Sequence, residues 1–227
     1  EMVMSAAYQQ TSEISASMLE QDPYNRLLAR APRTRLPAEL VRDNAMAISG
    51  LLNPVIGGPS AFPDQPEGLW RQVSHFGHGG FFSAQAYFDS ISADRYRRSM
   101  YTAWKRTAPP PAMAMFDAPT RETCTVRRMK TNTPLQALVL MNDPQFVDAA
   151  RALAQRMMAE GGAEIKSRIR HAFRLATARL PTAKETTVLV RGFERERQRF
   201  AKDPAAAVAL MAKHDGPEAP LDLAAYT

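Results

Sequence analysis

His75 and His78 stand three residues apart in His75-Phe76-Gly77-His78, and imidazoles at that spacing can chelate a metal from one face of a helix. The setting argues against it. Gly77, Gly79 and Gly80 break the helix that such a chelate needs, and no carboxylate or thiol sits at ligand spacing beside the pair. Hydrogen-bonded loop histidines are the plainer reading, and no metal site is assigned. His171 and His214 read as ordinary surface residues. Asp117, Glu122 and Asp143 are the carboxylates best placed for acid–base work, which requires two to converge. Each lies beside arginine or at a helix start, so ion pairing and capping account for them first. The catalytic candidates are His75, His78 and Asp117.

Other chemistries lack their motifs. There is no Gly-x-Ser-x-Gly elbow, no phosphate loop and no Gly-x-Gly-x-x-Gly fingerprint. The single cysteine, Cys124, excludes an intrachain disulfide and any Cys-rich metal site. It reads as a small buried hydrophobe. Cys-x-x-Cys-His is absent, so this chain attaches no c-type haem and carries no cofactor of its own.

Arginine is the chain's most concentrated chemical resource. Residues 95–130 hold nine Lys or Arg against Asp117 and Glu122, a local +7 in a chain whose net charge is +6. Guanidinium forks suit carboxylate, phosphate or sulfate groups, and equally suit buried carbonyls. Tyr96, Tyr101 and Trp104 are interleaved and offer stacking surfaces, the pattern of a nucleic-acid patch. Only Lys105 and Lys130 are lysines, however, and a solvated patch of that kind is lysine-rich. An internal network ranks higher. The candidate binding residues are Arg97, Arg98, Trp104, Arg121, Arg127 and Arg128. The expectation is that the five arginines are at least half buried and paired, so that Arg127→Ala costs about 1 to 3 kcal/mol. An anionic glycan or an acidic partner domain would use the same groups.

These residues must be positioned by a mainly α fold. The chain has 227 residues and 45% hydrophobic content, enough for one domain with a real core. No segment reaches the ~18 to 20 apolar residues of a membrane span. Asp22-Pro23 starts a turn or helix that Pro32 closes. Leu40, Val41, Ala45, Ile48 and Leu51 recur at helical spacing. From 53 to 95 glycine and proline punctuate the chain too often for long helices, which predicts a long ordered loop. Alternation in residues 98–106 predicts a strand, Pro109 to Pro111 an extended exit, and Ala112 to Phe116 a second short strand. Together they make a small antiparallel β element near 98–118.

Beyond Asn132 helices dominate. Thr133-Pro134-Leu135-Gln136 and Thr182-Ala183-Lys184-Glu185 read as capping boxes, and Asp143-Pro144 as a cap followed by Pro at the first helical position. Phe146, Ala149, Leu153 and Met157 share one face until Gly161-Gly162. Ile165, Ile169 and Phe173 share the next, and Leu189, Phe193 and Phe200 the last. Short connections predict antiparallel neighbours.

Tyr96–Pro111, Phe116–Arg128 and Thr131–Pro144 closely resemble the planctomycete-type C-terminal domain of unknown function, family 1553. Ser5–Ser12, Asp22–Leu36 and Val55–Trp70 match its pattern as well. The resemblance implies an exported protein at the periplasm or cell surface, with neighbouring domains in the same polypeptide. One of those often carries haem c. It supplies no catalytic residues. The chain is read as a single domain over 1–227, a fragment of a longer multidomain protein. It opens without Met and stops short of the family's terminal element. The leading function is a non-catalytic structural or interaction domain whose partners are its neighbouring domains. The alternative is part of a carbohydrate-active or redox enzyme with its site near the segment 95–130.

Overall fold

The computed structural model describes residues 1–66, 68–69, 87–106, 108–211 and 221–227. The chain forms two compact units, Glu1–Leu36 and Pro37–Thr227.

In the first unit, Ser15 caps α1 (Ala16–Gln21) by accepting the Met18 N–H at 3.2 Å. Asp22 then ends the helix and organises a turn. Its two carboxylate oxygens accept the N–H groups of Arg26 and Leu27, each at 2.8 Å. Those backbone bonds hold the Asp22 carboxyl below its ordinary range. Asn25 and Leu28 both take φ of 53°, so the segment coils back as turns and forms no helix. Buried Arg30 closes it by donating to the carbonyls of Asp22 and Pro23 at 2.9 and 3.0 Å.

The second unit is helical among the described residues: α2 (Ala38–Ser49), α3 (Pro111–Met115), α4 (Pro134–Asn142), α5 (Pro144–Glu160), α6 (Ile165–Thr177), α7 (Ala183–Lys202), α8 (Pro204–Met211) and α9 (Leu221–Tyr226). Pro144 cannot continue α4, so Asp143 ends one helix and caps the next, accepting the Gln145 N–H at 3.0 Å. The Thr182 box forms in full. Thr182 Oγ1 accepts the Glu185 N–H at 3.2 Å, and the Glu185 carboxylate accepts the Thr182 N–H at 2.8 Å. At the other proline start, Thr133 is the N-cap and its N–H reaches Gln136 Oε1 at 3.3 Å.

One core joins Ala38 of α2, Ala112 and Met113 of α3, Phe116 at the end of α3, and Phe146 of α5. The two phenylalanine rings meet edge to face with centroids 6.1 Å apart. A second core joins Met157, Ile169 and Phe193 across α5, α6 and α7, and Phe193 stacks on Tyr226 of α9 at 4.3 Å. A third packs Ala154 and Phe200 against Ala207 and Met211 of α8. Gly161 is required where α5 gives way to α6. A Cβ there would lie 2.5 Å from the Met157 carbonyl and 2.7 Å from Arg168 Cα.

The small β element is not present among the described residues. Residues 99–101 form a 3₁₀ turn, and Ala112 to Met115, read as part of a short strand over 112–116, lie in α3. Pro111 presets φ at the first helical position, and Ala and Met are strong helix formers. Over so short a run, alternating parity cannot be told from helical periodicity. The extended backbone around Thr102 pairs instead with Ala61, as a single parallel bridge. The irregular segment between α2 and α3 is seen in its two limbs, 53–66 and 87–96, with a 3₁₀ turn at Ser92–Tyr96.

Candidate functional site

The site is built around Arg42, a residue the sequence reading passed over. α2 buries Ala38, Arg42, Met46 and Ser49, one face of the helix. The predicted face was rotated from this one, and Leu40 is exposed. Arg42 is 3% exposed. Its Nε donates to Gln145 Oε1 at 2.5 Å, Nη1 to the Arg97 carbonyl at 2.8 Å, and Nη2 to the Arg95 carbonyl at 2.7 Å. Asp43 lies 3.9 Å away and accepts the Ser99 N–H at 2.7 Å. Burial pushes the Arg42 guanidinium below its ordinary value, opposed by the carboxylates of Asp43 and Asp143. Burial likewise raises Asp143, against the Gln145 N–H and Arg42. Gln145 completes the junction by donating to the Asp64 carbonyl at 3.0 Å. One guanidinium therefore holds α2, the start of α5 and the 95–99 backbone together. A cation in register with a helix's buried face is the signal that marks such a residue.

Arg97, 3% exposed, is the second clamp. It donates to the carbonyls of Gly57 and Pro59 and lies over the Tyr101 ring at 4.1 Å. The Tyr101 hydroxyl accepts the Gly57 N–H at 2.8 Å. The Gly57-Gly58-Pro59 turn is thus closed around one arginine.

The other predicted arginines are not an internal network. Arg121 lies over the Trp104 ring at 4.4 Å, and Trp104 Nε1 donates to the Thr120 carbonyl at 3.1 Å. Arg121 and Arg128 both approach Glu39, at 3.9 and 2.8 Å, at the rim of the fold. Arg98 and Arg127 are exposed, and their side chains make no ion pair or hydrogen bond among the described residues. Every residue from Thr120 to Lys130 is exposed, Cys124 included, which corrects its reading as a buried hydrophobe. A strap whose side chains all face water has no interior to bury them in.

Asp117 is a latch. Its carboxylate accepts the Thr131 N–H at 2.6 Å and the Thr131 hydroxyl at 2.9 Å, fixing both ends of the strap. His75, His78 and His214 lie outside the described residues. His171 meets Glu160 at 3.2 Å. No group of three His, Cys, Asp or Glu among the described residues could hold a metal ion, and none of their helices is long and apolar enough to cross a membrane.

After the strap, α4 is inverted. Gln136, 2% exposed, is its buried residue, donating to the Met115 carbonyl at 2.9 Å and to Thr131 Oγ1 at 3.1 Å. Leu135, Leu138 and Met141 face water, Met141 at 72% exposure. A helix that keeps its amide inside and its leucines outside is shaped for contact.

The profile of the family described as a protein of unknown function (DUF1553) matches residues 1–193, and the chain belongs to that family. No curated protein and no solved structure matches the chain.

Proposed function

We propose that this chain is a non-catalytic interaction domain that docks onto a neighbouring domain of the same polypeptide through the strap 120–130 and α4. The inverted helix carries the proposal. Leu135, Leu138 and Met141 recur every third residue, so they form one apolar stripe, and the strap leading into it holds Arg121, Arg127, Arg128 and Lys130 against Glu122 alone. Arg121 and Arg128 meet Glu39, whereas Arg127 and Lys130 have no ion pair among the described residues, and an apolar stripe beside such cations complements an acidic-rimmed apolar surface. The arginines divide accordingly: Arg42 and Arg97 serve the fold, and Arg98 and Arg127 are left for a partner. The rest of the reading, an exported protein of the periplasm or cell surface with haem c in a neighbouring domain, is what the resemblance of the sequence motifs implies.

Hydrogen exchange tests this. In the full-length polypeptide the amides of α4 exchange more slowly than in the isolated chain, and Leu138→Ser with Met141→Ser abolishes the difference. Equal exchange of α4 in both proteins defeats the proposal.

A further inference from the structure

A second surface, unpartnered among the described residues, lies on other helices. α6 and α7 flank a groove of about 810 Å³, with Phe173 and Ala176 on one wall and Val188, Leu189 and Gly192 on the other, and Tyr226 of α9 in its floor. Val188 is 61% exposed. Gly192 is the informative residue. It sits in mid-helix, where glycine weakens the helix relative to alanine. Nothing among the described residues lies within 4 Å of the point its Cβ would occupy, so no packing among them accounts for it. Missing side chains on groove walls permit the close approach of another backbone.

Charge selects the occupant. α6 carries four Lys or Arg and no acid, and α7 carries six against three acids, an excess of seven cations. Arg191, Arg195 and Glu196 line the groove itself; Arg195 meets Glu196 at 3.0 Å, whereas Arg191 has no ion pair among the described residues. A second copy would set this excess against its own image, which disfavours self-association. We infer that the groove receives an amphipathic helix from an acidic partner, its apolar stripe seated between α6 and α7, its backbone crossing at Gly192 and its Glu or Asp flanks against Arg191 and the excess cations of the two helices. This rests on different helices from the α4 surface and holds whether or not that surface docks.

The experiment uses the whole chain and a labelled synthetic helix about four turns long, with a leucine stripe, a central alanine and glutamate flanks. A twin peptide carries lysine flanks. Fluorescence anisotropy at about 0.15 M salt should show saturable binding of the glutamate peptide, at least tenfold tighter than the lysine peptide. Gly192→Ala should raise the melting temperature, because it repairs the helix, yet weaken binding about tenfold. Gly192→Leu should keep the circular dichroism of the wild type and abolish binding. Equal binding of both peptides, binding unchanged in Gly192→Ala, or no saturation by the glutamate peptide overturns the inference. So does a concentration-dependent dimer that Gly192→Leu dissolves, which would make the occupant a second copy.

Discussion

Arg42 and Gln145 are joined across 103 residues by a 2.5 Å hydrogen bond, and that bond sets α2 against the start of α5. Both side chains are buried, and both also hold backbone carbonyls that no helix or sheet ladder satisfies. Removing either leaves buried acceptors stranded. Arg42→Ala should therefore destabilise the domain by about 3 kcal/mol, lowering Tm by roughly 6 to 12 °C for a chain of this size. Arg42→Lys should recover little, because one ammonium cannot span Gln145, Arg95 and Arg97 in a fork. Calorimetry of the two variants checks this, and a lysine variant as stable as the wild type would falsify the clamp.

Burial separates the arginines of the 95–130 segment by their consequences. Arg97→Ala strands the carbonyls of Gly57 and Pro59 and should cost about 2 kcal/mol. Arg127→Ala should change stability by less than about 0.5 kcal/mol. That reverses the sequence-based expectation for Arg127. Parallel urea titrations distinguish the two, and equal midpoint shifts would contradict the division.

Glu185 contributes a pH-dependent cap. The Arg179 guanidinium first, then the Thr182 N–H and hydroxyl, lower its carboxyl from 4.5 to about 2. A depressed carboxyl stabilises the folded state above its unfolded value and loses that contribution as pH falls through its folded value. Glu185→Gln should accordingly melt below the wild type at pH 6, and the gap should close between about pH 4.5 and pH 2. Thermal melts across that range decide it; a gap that widens in acid would refute the assignment.

Gly161→Ala should cost about 2 kcal/mol, because its Cβ would press on the Met157 carbonyl and Arg168 Cα, both backbone atoms that cannot move aside cheaply. Gly192→Ala, with open space at its Cβ, should do the opposite. Two glycine substitutions of opposite sign in one domain are readable in a single set of melts.

The sequence by itself determined the family, the helical class and the helix starts. Asp143-Pro144 and Thr182 with Glu185 fall where they were read, because caps and prolines act on backbone within one turn and need no distant partner. The apolar face of α5, and Phe193 and Phe200 of α7, were legible for the same reason, periodicity being local, although Leu189 of α7 is exposed. The tertiary structure alone decided which arginines are buried. Arg42, Arg97 and Arg127 carry the same group, and only the surrounding carbonyls and carboxylates, brought from up to 103 residues away, set their roles. It also decided the fate of 111–115, where packing on Phe146 made a helix of a run that reads equally as strand. Gln136 shows the limit most plainly: its amide is buried because Met115 and Thr131 come to meet it, and its leucine neighbours are outside because that face was already taken.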